Sequence, residues 1–422
     1  MIKIKPLEPV HGICPECNCH HPEMQGIIFH GKHILADMLC TCCEKKYYHT
    51  IPVAHDALFP MAISQHGKKH SYHPQAEFWL AQPLIQSLKN SKLQTKAQIT
   101  FEQIRHYKNI ILLNCLDKCY GHILYKCFNA YRYLNLPDTG LVMLIPSFMR
   151  WIVPDGVAEV WHVHLPAEKL NHYILNLNTV IHQRLTLYQN VLLATSYIHP
   201  ELEEKTLYPF LKTHPFDLKK FYETPFRITF FLRNDRFWLS NDIDYFLLLV
   251  CKKYKILHLL RPYFLFKQTR LVKKFARIIH KKNSAIELIA TGVKNSFSLG
   301  PLIKDLRKQL GEDDPMHSWT SIYAQTHIVI GVHGSHMLVP TALSAAFIEI
   351  VPHYKLIHYT EDILFKNSSS RLTLFLGRIL TQCTSAKILA THALHVLEHF
   401  KYIYENTNVN FSCPKTEVRA NK

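Results

Sequence analysis

Two groups of residues in this 422-residue chain have types and spacings suited to chemistry. The first is a pair of C-x2-C turns, Cys14-Pro15-Glu16-Cys17 and Cys40-Thr41-Cys42-Cys43, with 22 residues between them. Each turn can aim two sulfurs at one ion, and two turns complete a closed tetrahedral set that leaves no position open for catalysis. The spacing predicts a structural zinc on Cys14, Cys17, Cys40 and Cys43 within a small zinc-ribbon-like β module. Cys19, His20, His21 and Cys42 are spare donors close by, so a different ligand set or a second, weaker site stays open. Free thiols are the plainer alternative, and a redox pair is disfavoured by the duplication and by the lack of a βαβ context. Ribbons bind nucleic acid, bind protein or only staple a small domain, and the motif does not choose among these.

The second group sits at strand ends. Arg233-x-x-Arg236 follows the apolar run 226–232, and its two guanidiniums could grip a diphosphate through paired, charge-assisted hydrogen bonds. Two surface arginines paired with Asp235 and Asp242 are the alternative. Downstream, the apolar run 328–332 leads into Gly331-Val332-His333-Gly334-Ser335-His336. A buried strand that turns through glycine into a helix offers backbone N–H groups to a phosphate, and Gly331 and Gly334 allow the close approach. His333 could donate a hydrogen bond or a full charge to a leaving phosphate, or it could be a satisfied structural histidine. Glu349 belongs to the next strand, 347–351, and could face a ribose hydroxyl.

These groups need a scaffold to present them. From about residue 101 short apolar runs alternate with amphipathic stretches, the pattern of an α/β arrangement. Strands are expected at 109–115, 140–146 and 157–165, with helix to about residue 133. A second block has strands at 226–232, 285–290, 327–332 and 347–351, a helix at about 302–310 and a long one at 385–404. Two such blocks joined near residue 220 predict two Rossmann-like domains facing a cleft, with ligands beyond the carboxyl ends of the strands. The domains are set at 1–75 for the zinc-ribbon-like module and linker, 76–220, 221–405, and 406–422 for a tail. Within the segment 47–73, His49, His55, His66, His70 and His73 show no metal spacing and are read as surface or loop residues.

Composition narrows the class. An apolar fraction of 48% with only 13 Gly and 22 Pro excludes a disordered or low-complexity chain. Lys and Arg number 49 against 32 Asp and Glu, a net charge of +17, so anionic partners are favoured: nucleic acid, anionic lipid, nucleotide-sugar or acidic glycan. The start, Met1-Ile2-Lys3-Ile4-Lys5-Pro6, lacks the apolar core of a signal peptide, and no apolar run approaches the ~18 residues that cross a bilayer. A cytoplasmic protein is expected, or one peripheral at the inner face of the membrane. Its 12 cysteines are then expected to be reduced or metal-bound. Between Lys252 and Lys282 there are eleven Lys or Arg and no acid, while residues 271, 272, 275, 278 and 279 make one apolar helical face. Such a helix either lies on an anionic membrane or packs on the core with a solvated basic back.

The run Gly331-Val332-His333-Gly334-Ser335-His336-Met337-Leu338, preceded by Tyr323-Ala324-Gln325-Thr326-His327 and followed by Phe347-Ile348-Glu349-Ile350-Val351-Pro352, resembles the family-61 glycosyltransferases. Members of that family carry A-D-I-x-I-G-x-H-G-A-G-L and then x-x-E-x-x-P, and Arg233-x-x-Arg236 resembles their arginine-bearing strand. The likeness covers about residues 225–355. It implies a GT-B fold, a nucleotide-sugar held in the carboxyl-terminal domain, an inverting transfer and no catalytic metal. By position Arg233, Arg236, His333 and Gly334 would hold the diphosphate and Glu349 the ribose, with Gly331, Ser335 and His336 completing the donor site. The sequence departs from the family at Ser335-His336 and at Thr326-His327, and His336 adds bulk or a second cation beside the phosphates.

An inverting transfer needs a base beside the acceptor hydroxyl and positive charge beside the leaving diphosphate. Asp117, His122 and Asp155, in loops of the amino-terminal block, are the base candidates, with helix capping as their alternative role. The function implied is transfer of a sugar from a nucleotide-sugar to a glycan or other glycoconjugate in cell-surface polysaccharide synthesis. Two other readings stand beside it. A nucleic-acid-binding protein working through the ribbon and the basic segment leaves the G-x-H-G and Arg-x-x-Arg features unexplained, and a transferase fold could have kept binding alone.

Overall fold

The computed structural model describes residues 3–407 apart from 11, 21, 66, 68–69, 201–203, 309–314, 362 and 364–369. It divides into two compact units, Met1–Glu203 and Glu204–Lys422. In the first unit, strand β1 (Lys3–Pro6) is followed by an antiparallel meander of β2 (Pro22–Phe29), β3 (Ile34–Cys40), β4 (Lys46–Thr50), β5 (Ala62–Ser64) and β6 (His70–Ser71). Helix α1 (Gln82–Lys89) packs Leu84 and Ile85, with Leu80 of the turn before it, against Leu35, Met61 and Ile63 in and beside this small sheet. The chain continues through β7 (Gln94–Thr95), β8 (Gln98–Gln103), β9 (Asn109–Asn114), α2 (Tyr120–Phe128), β10 (Thr139–Pro146), β11 (Glu159–His164), β12 (Tyr173–Ile174), α3 (Leu177–Leu185) and β13 (Asn190–Leu193).

The main sheet of this unit has the order β1-β13-β9-β10-β11-β8 and is parallel except for the edge strand β8. β9 and β10 are apolar along nearly their whole length because helices and loops cover both faces, as parallel strands require. β1 precedes the cysteine-rich meander in sequence yet pairs with β13, Ile4 beside Val191 and Lys5 beside Leu192. The meander is therefore an insertion behind the first strand of the sheet, and the expected boundary at residue 75 runs across that sheet.

The second unit comprises α4 (Glu204–Leu211), β14 (Arg227–Leu232), α5 (Asp242–Lys253), α6 (Leu257–Lys282), β15 (Glu287–Gly292), β16 (Lys304–Asp305), α7 (Pro315–Tyr323), β17 (Ile328–Val332), α8 (Leu338–Leu343), β18 (Ala346–Val351), α9 (Ser370–Leu376), β19 (Gly377–Thr381) and α10 (Ala386–Thr407). Its six strands are all parallel in the order β16-β15-β14-β17-β18-β19, the doubly wound Rossmann order with its reversal between β14 and β17. The expected α/β class with two parallel sheets and a small cysteine-bearing β module is what the chain adopts.

Two expectations change, and one open alternative is decided. The helix at about 302–310 is instead the edge strand β16, because Leu306 and Lys308 donate their N–H groups to Ala290 and Gly292 of β15; residues 309 and 310 lie outside the described residues. The second unit begins before residue 220, since Phe216 donates its N–H to Leu343 O and Phe221 stacks on Phe400. The basic segment is a core helix: Leu271, Val272, Phe275, Ala276 and Ile279 of α6 are buried with Leu389, Val396 and Phe400 of α10. Each such side chain contributes about 1.5–3 kcal/mol by burial. Among the described residues no helix is long and apolar enough to cross a membrane.

Candidate functional site

The two cysteine knuckles share one backbone construction. Cys14 N–H donates to Cys19 O at 3.0 Å and Asn18 N–H to Cys14 O at 2.9 Å; Cys40 N–H donates to Lys45 O at 3.0 Å and Glu44 N–H to Cys40 O at 2.9 Å. Asn18 and Glu44, each just past a knuckle's last cysteine, turn the chain with φ of 58° and 54°. β2 and β3 pair antiparallel with Pro22 opposite Cys40, which brings the knuckles together. The four sulfurs of Cys14, Cys17, Cys40 and Cys43 lie within 4.8 Å of one another, with Cys14–Cys43 at 3.7 Å and Cys17–Cys40 at 3.5 Å. A tetrahedral ion with ~2.3 Å bonds to sulfur needs sulfurs about 3.8 Å apart, so this set is built to hold a metal.

The sulfurs shift in opposite directions. Burial pushes the Cys14 thiol up, and at Cys17 the backbone N–H of Cys19 pulls down but the Cys43 thiol and burial together raise it to about 12. Burial pushes Cys40 up as well, but there the backbone N–H groups of Cys43 and Cys42 outweigh it and lower the thiol to about 7. Tyr47 of β4 is fully buried, its hydroxyl has no partner among the described residues, and the four cysteines help to raise its pKa. Of the spare donors, Cys19 and Cys42 form a disulfide, which corrects the expectation that all the cysteines are reduced or metal-bound, and their sulfurs also lie within 4.8 Å of that of Cys40, a second group of donors. His20 is exposed and His21 lies outside the described residues.

In the second unit the G-x-H-G turn and the two arginines meet at the carboxyl ends of β14 and β17, where the strand order reverses. Arg233 is only 8% exposed and forks onto Asp235, Nε to Oδ1 at 2.8 Å and Nη2 to Oδ2 at 2.6 Å. Its remaining Nη1 is buried and has no hydrogen-bond partner among the described residues. Arg236 Nη1 donates to His333 O. Gly334 lies against both: with φ of 155°, a Cβ there would sit 2.6 Å from Arg233 Nη1 and closer still to Arg236 Nη1. Gly331 is forced by packing, since a Cβ would strike Met337 Sδ. Ser335 opens a single 3-10 turn, Ser335–Met337, before α8.

Two expectations are corrected at this site. Glu349 is fully buried in β18 and bonds through Oε2 to His333 Nδ1 at 2.5 Å, so it orients the histidine instead of presenting itself to a ribose. His336 is no second cation: burial, with Arg233 and Arg236 beside it, lowers it to about 3, and its ring stacks on Phe231. Asp235 is pushed up by burial, but Arg233 outweighs this and lowers it to about 2, so the Arg233–Asp235 pair stays ionised. The alternative partner Asp242 instead lies in the first turn of α5.

In the first unit the order reverses between β9 and β13, and here too polar groups gather at the carboxyl ends. Asp117 is fully buried, accepts from Cys119 N–H at 3.0 Å, and lies 3.4 Å from His122 Nδ1 and 3.8 Å from Lys126 Nζ. Burial pushes Asp117 up, yet Lys32, His122 and Lys126 hold it well below the carboxylate range. Burial also pulls His122 down, but Asp117 and Cys119 override it and raise it to about 9. His122 is thus an imidazolium at neutral pH, a donor and not a free base. Asp155 is elsewhere: it precedes β11, at the opposite end of the sheet from Asp117.

The inserted module reaches this crevice. Val53 bridges to Ser196 just past β13, and Ala54 donates its N–H to Ser196 O at 2.8 Å while held at φ of 57°. His55 follows, its ring edge-on to His122 and Trp79 at centroid distances of 4.8 and 4.6 Å. Burial, then His122 and Lys32, lower it to about 3, so it stays neutral. His33 Nδ1 and Asp56 Oδ2 make a second buried pair at 2.7 Å. Trp79 and the exposed Phe78 stand on a single π-helical turn, Glu77–Ala81. Of the histidines read as surface or loop residues, His49 is buried in β4 with Nδ1 bonded to Thr50 O, and His66 lies outside the described residues.

No protein-family model matches this chain, and no curated relative does. Among solved structures it is similar to the ADP-heptose lipopolysaccharide heptosyltransferase II of Escherichia coli, with 11% identity, a TM-score of 0.35, and coverage of 69% of this chain and 99% of that one. It is also similar to a family-9 glycosyl transferase from Veillonella parvula, at 10% identity and a TM-score of 0.37 over 71% of this chain and 100% of that one. An E. coli heptosyltransferase with ADP gives 9% and 0.33 over 70% and 98%. Likeness this loose says nothing of activity, which must be read from the chain's own residues.

Those residues form one anion seat, at Arg233, Arg236 and Gly334, and one polar crevice around Asp117 and His122. Lys32, His33, His55, Asp56, Trp79 and Lys126 carry no motif. The first five come from the insertion, and only its docking on the sheet reveals them.

Proposed function

We propose that the chain is an inverting glycosyltransferase of the GT-B type, akin to family 61, with a structural zinc on Cys14, Cys17, Cys40 and Cys43. The observation that carries this reading is the partnerless Nη1 of buried Arg233, set with Arg236 against the bare backbone of Gly334 at a strand-order reversal. An unpaired buried guanidinium N–H costs about 1–3 kcal/mol unless a ligand satisfies it, and the diphosphate of a nucleotide-sugar suits the fork and the glycine. His333, oriented by Glu349, would bear on the leaving phosphate. As the bond to the anomeric carbon breaks, negative charge grows on the diphosphate and is met by these side-chain cations. At the acceptor end, ionised Asp117 would take the proton that the hydroxyl of a saccharide or glycoconjugate acceptor loses as its oxygen bonds to the anomeric carbon, with cationic His122 beside it donating to that acceptor. The proposal extends to a cytoplasmic role in surface polysaccharide synthesis.

The test is release of nucleoside diphosphate from UDP-, GDP- and dTDP-sugars, and of CMP from CMP-sugars, by the full chain. We expect turnover with one nucleotide class, unchanged when magnesium and manganese are omitted and reduced at least a hundredfold in Arg236→Ala. No turnover with any donor, together with salt-sensitive binding to DNA or RNA, would overturn the reading in favour of a nucleic-acid-binding protein.

A further inference from the structure

α5 is apolar on two sides. Leu248 and Cys251 are buried, as a helix on a core demands, but Ile243, Phe246 and Leu249 form a second stripe that faces solvent, with Ile243 80% and Phe246 68% exposed. The stripe does not stop at the helix. Tyr354, in the 3-10 segment His353–His358, is held against α5 by Lys252, whose Nζ lies 4.4 Å from the ring centroid and 3.3 Å from the hydroxyl; His353 lies beside Tyr245 at a centroid distance of 5.2 Å. That segment carries Ile357, 85% exposed. Large apolar side chains from separate elements thus make one exposed face, well beyond the scattered single residues of an ordinary surface.

Cations rim this face. Lys252, Lys253 and Lys255 are exposed at the end of α5 and the turn after it, Arg261 is exposed on the first turns of α6, and Lys355 lies beside Tyr354. The acids here are few: in the first turn of α5 Asp242 is exposed and Asp244 is buried against Lys267 and Tyr263, and beyond the 3-10 segment the exposed Glu361 is paired with His358. A protein partner could cover an apolar face with any rim, but aliphatic and aromatic side chains edged by flexible lysines suit a lipid surface: the apolar groups enter the acyl boundary while the ammonium groups stay with the headgroups. The chain's net charge of +17 favours the anionic kind.

We propose that the face formed by α5 and the segment His353–His358 docks on an anionic lipid bilayer. This places the contact away from the mid-α6 residues 271–279, whose apolar side is buried in the core, and it does not depend on the transferase reading.

The test is co-sedimentation of the full chain with vesicles of phosphatidylcholine alone or mixed with phosphatidylglycerol, at low and high salt. We expect binding to the mixed vesicles only, weakened by salt and reduced at least tenfold in Phe246→Glu/Ile357→Glu and in Lys252→Glu/Lys253→Glu. A control in Lys273→Ala/Lys274→Ala should bind as before. Because Phe246 and Ile357 are exposed, the melting temperature of that variant should not move. Failure to bind the mixed vesicles overturns the proposal, and so does binding that the Phe246/Ile357 variant leaves intact. Sedimentation velocity showing a dimer that this variant dissociates would also overturn it, assigning the face to a second copy of the chain.

Discussion

A Cβ at Gly334 would meet both guanidiniums of the anion seat, so Gly334→Ala has to push Arg233 or Arg236 off its partner. We expect nucleotide binding to weaken by about 1–3 kcal/mol in that variant, measured by calorimetry, and the free protein to melt lower, since a side chain at φ of 155° is strained. Glu349→Gln keeps the shape but exchanges a carboxylate for an amide against His333. We expect about 1–3 kcal/mol of lost stability and a reduced turnover number with the donor KM unchanged, since Glu349 acts through the histidine. The arginines, His333 and the glycines are legible in the sequence because one short run holds the turn and another the cations. Glu349 is legible as a residue but not in its role, which depends on the register that sets β18 beside β17. His55 and Trp79 are illegible, since only the docking of Val53 and Ala54 on Ser196 brings them to the crevice.

At the level of elements, the C-x2-C spacing is sufficient to locate the four-cysteine cluster that could hold a metal, because a knuckle is a local turn whose hydrogen bonds close within six residues. Its place in the fold was not, because β1 finds its partner almost the whole first unit later. We expect Cys40→Ser to abolish binding of one metal ion per chain by elemental analysis and to unfold the meander as seen by hydrogen exchange, while the parallel sheets keep their protection. Glu44 sits in a left-handed turn where a side chain is strained, and Glu44→Gly should raise stability by up to about 1 kcal/mol. The α6 helix shows the same contrast between pattern and context. Its apolar spacing predicts a helix with either of two partners, and only the packing of Phe275 against the second sheet and α10 decides for the core. Phe275→Ala should cost about 3–5 kcal/mol and Lys274→Ala less than about 0.5 kcal/mol, by denaturant unfolding.

Across the whole molecule, titrating histidines pull stability in opposite directions. His55 and His336 are lowered to about 3 and His327 to about 4, so below pH 6.5 the unfolded chain takes up protons that the folded chain resists, and stability falls with pH. His122, raised to about 9, stabilises fully below 6.5 and loses that contribution as pH rises through 9. We therefore expect unfolding free energies to be highest near neutrality and to drop toward both about pH 5 and about pH 9, with His122→Gln flattening only the alkaline side.

Two parallel sheets that each reverse strand order, one carrying a cationic seat and the other a polar crevice, make nucleotide-diphosphate binding the central claim. The most direct measurement is calorimetric titration of the full chain with UDP, GDP, ADP and dTDP, in parallel with Gly334→Ala. Saturable binding of one nucleoside diphosphate, at one site per chain and weakened by about 1–3 kcal/mol in the variant, is the expected result. Binding of none of them, or binding that Gly334→Ala leaves unchanged, would contradict it.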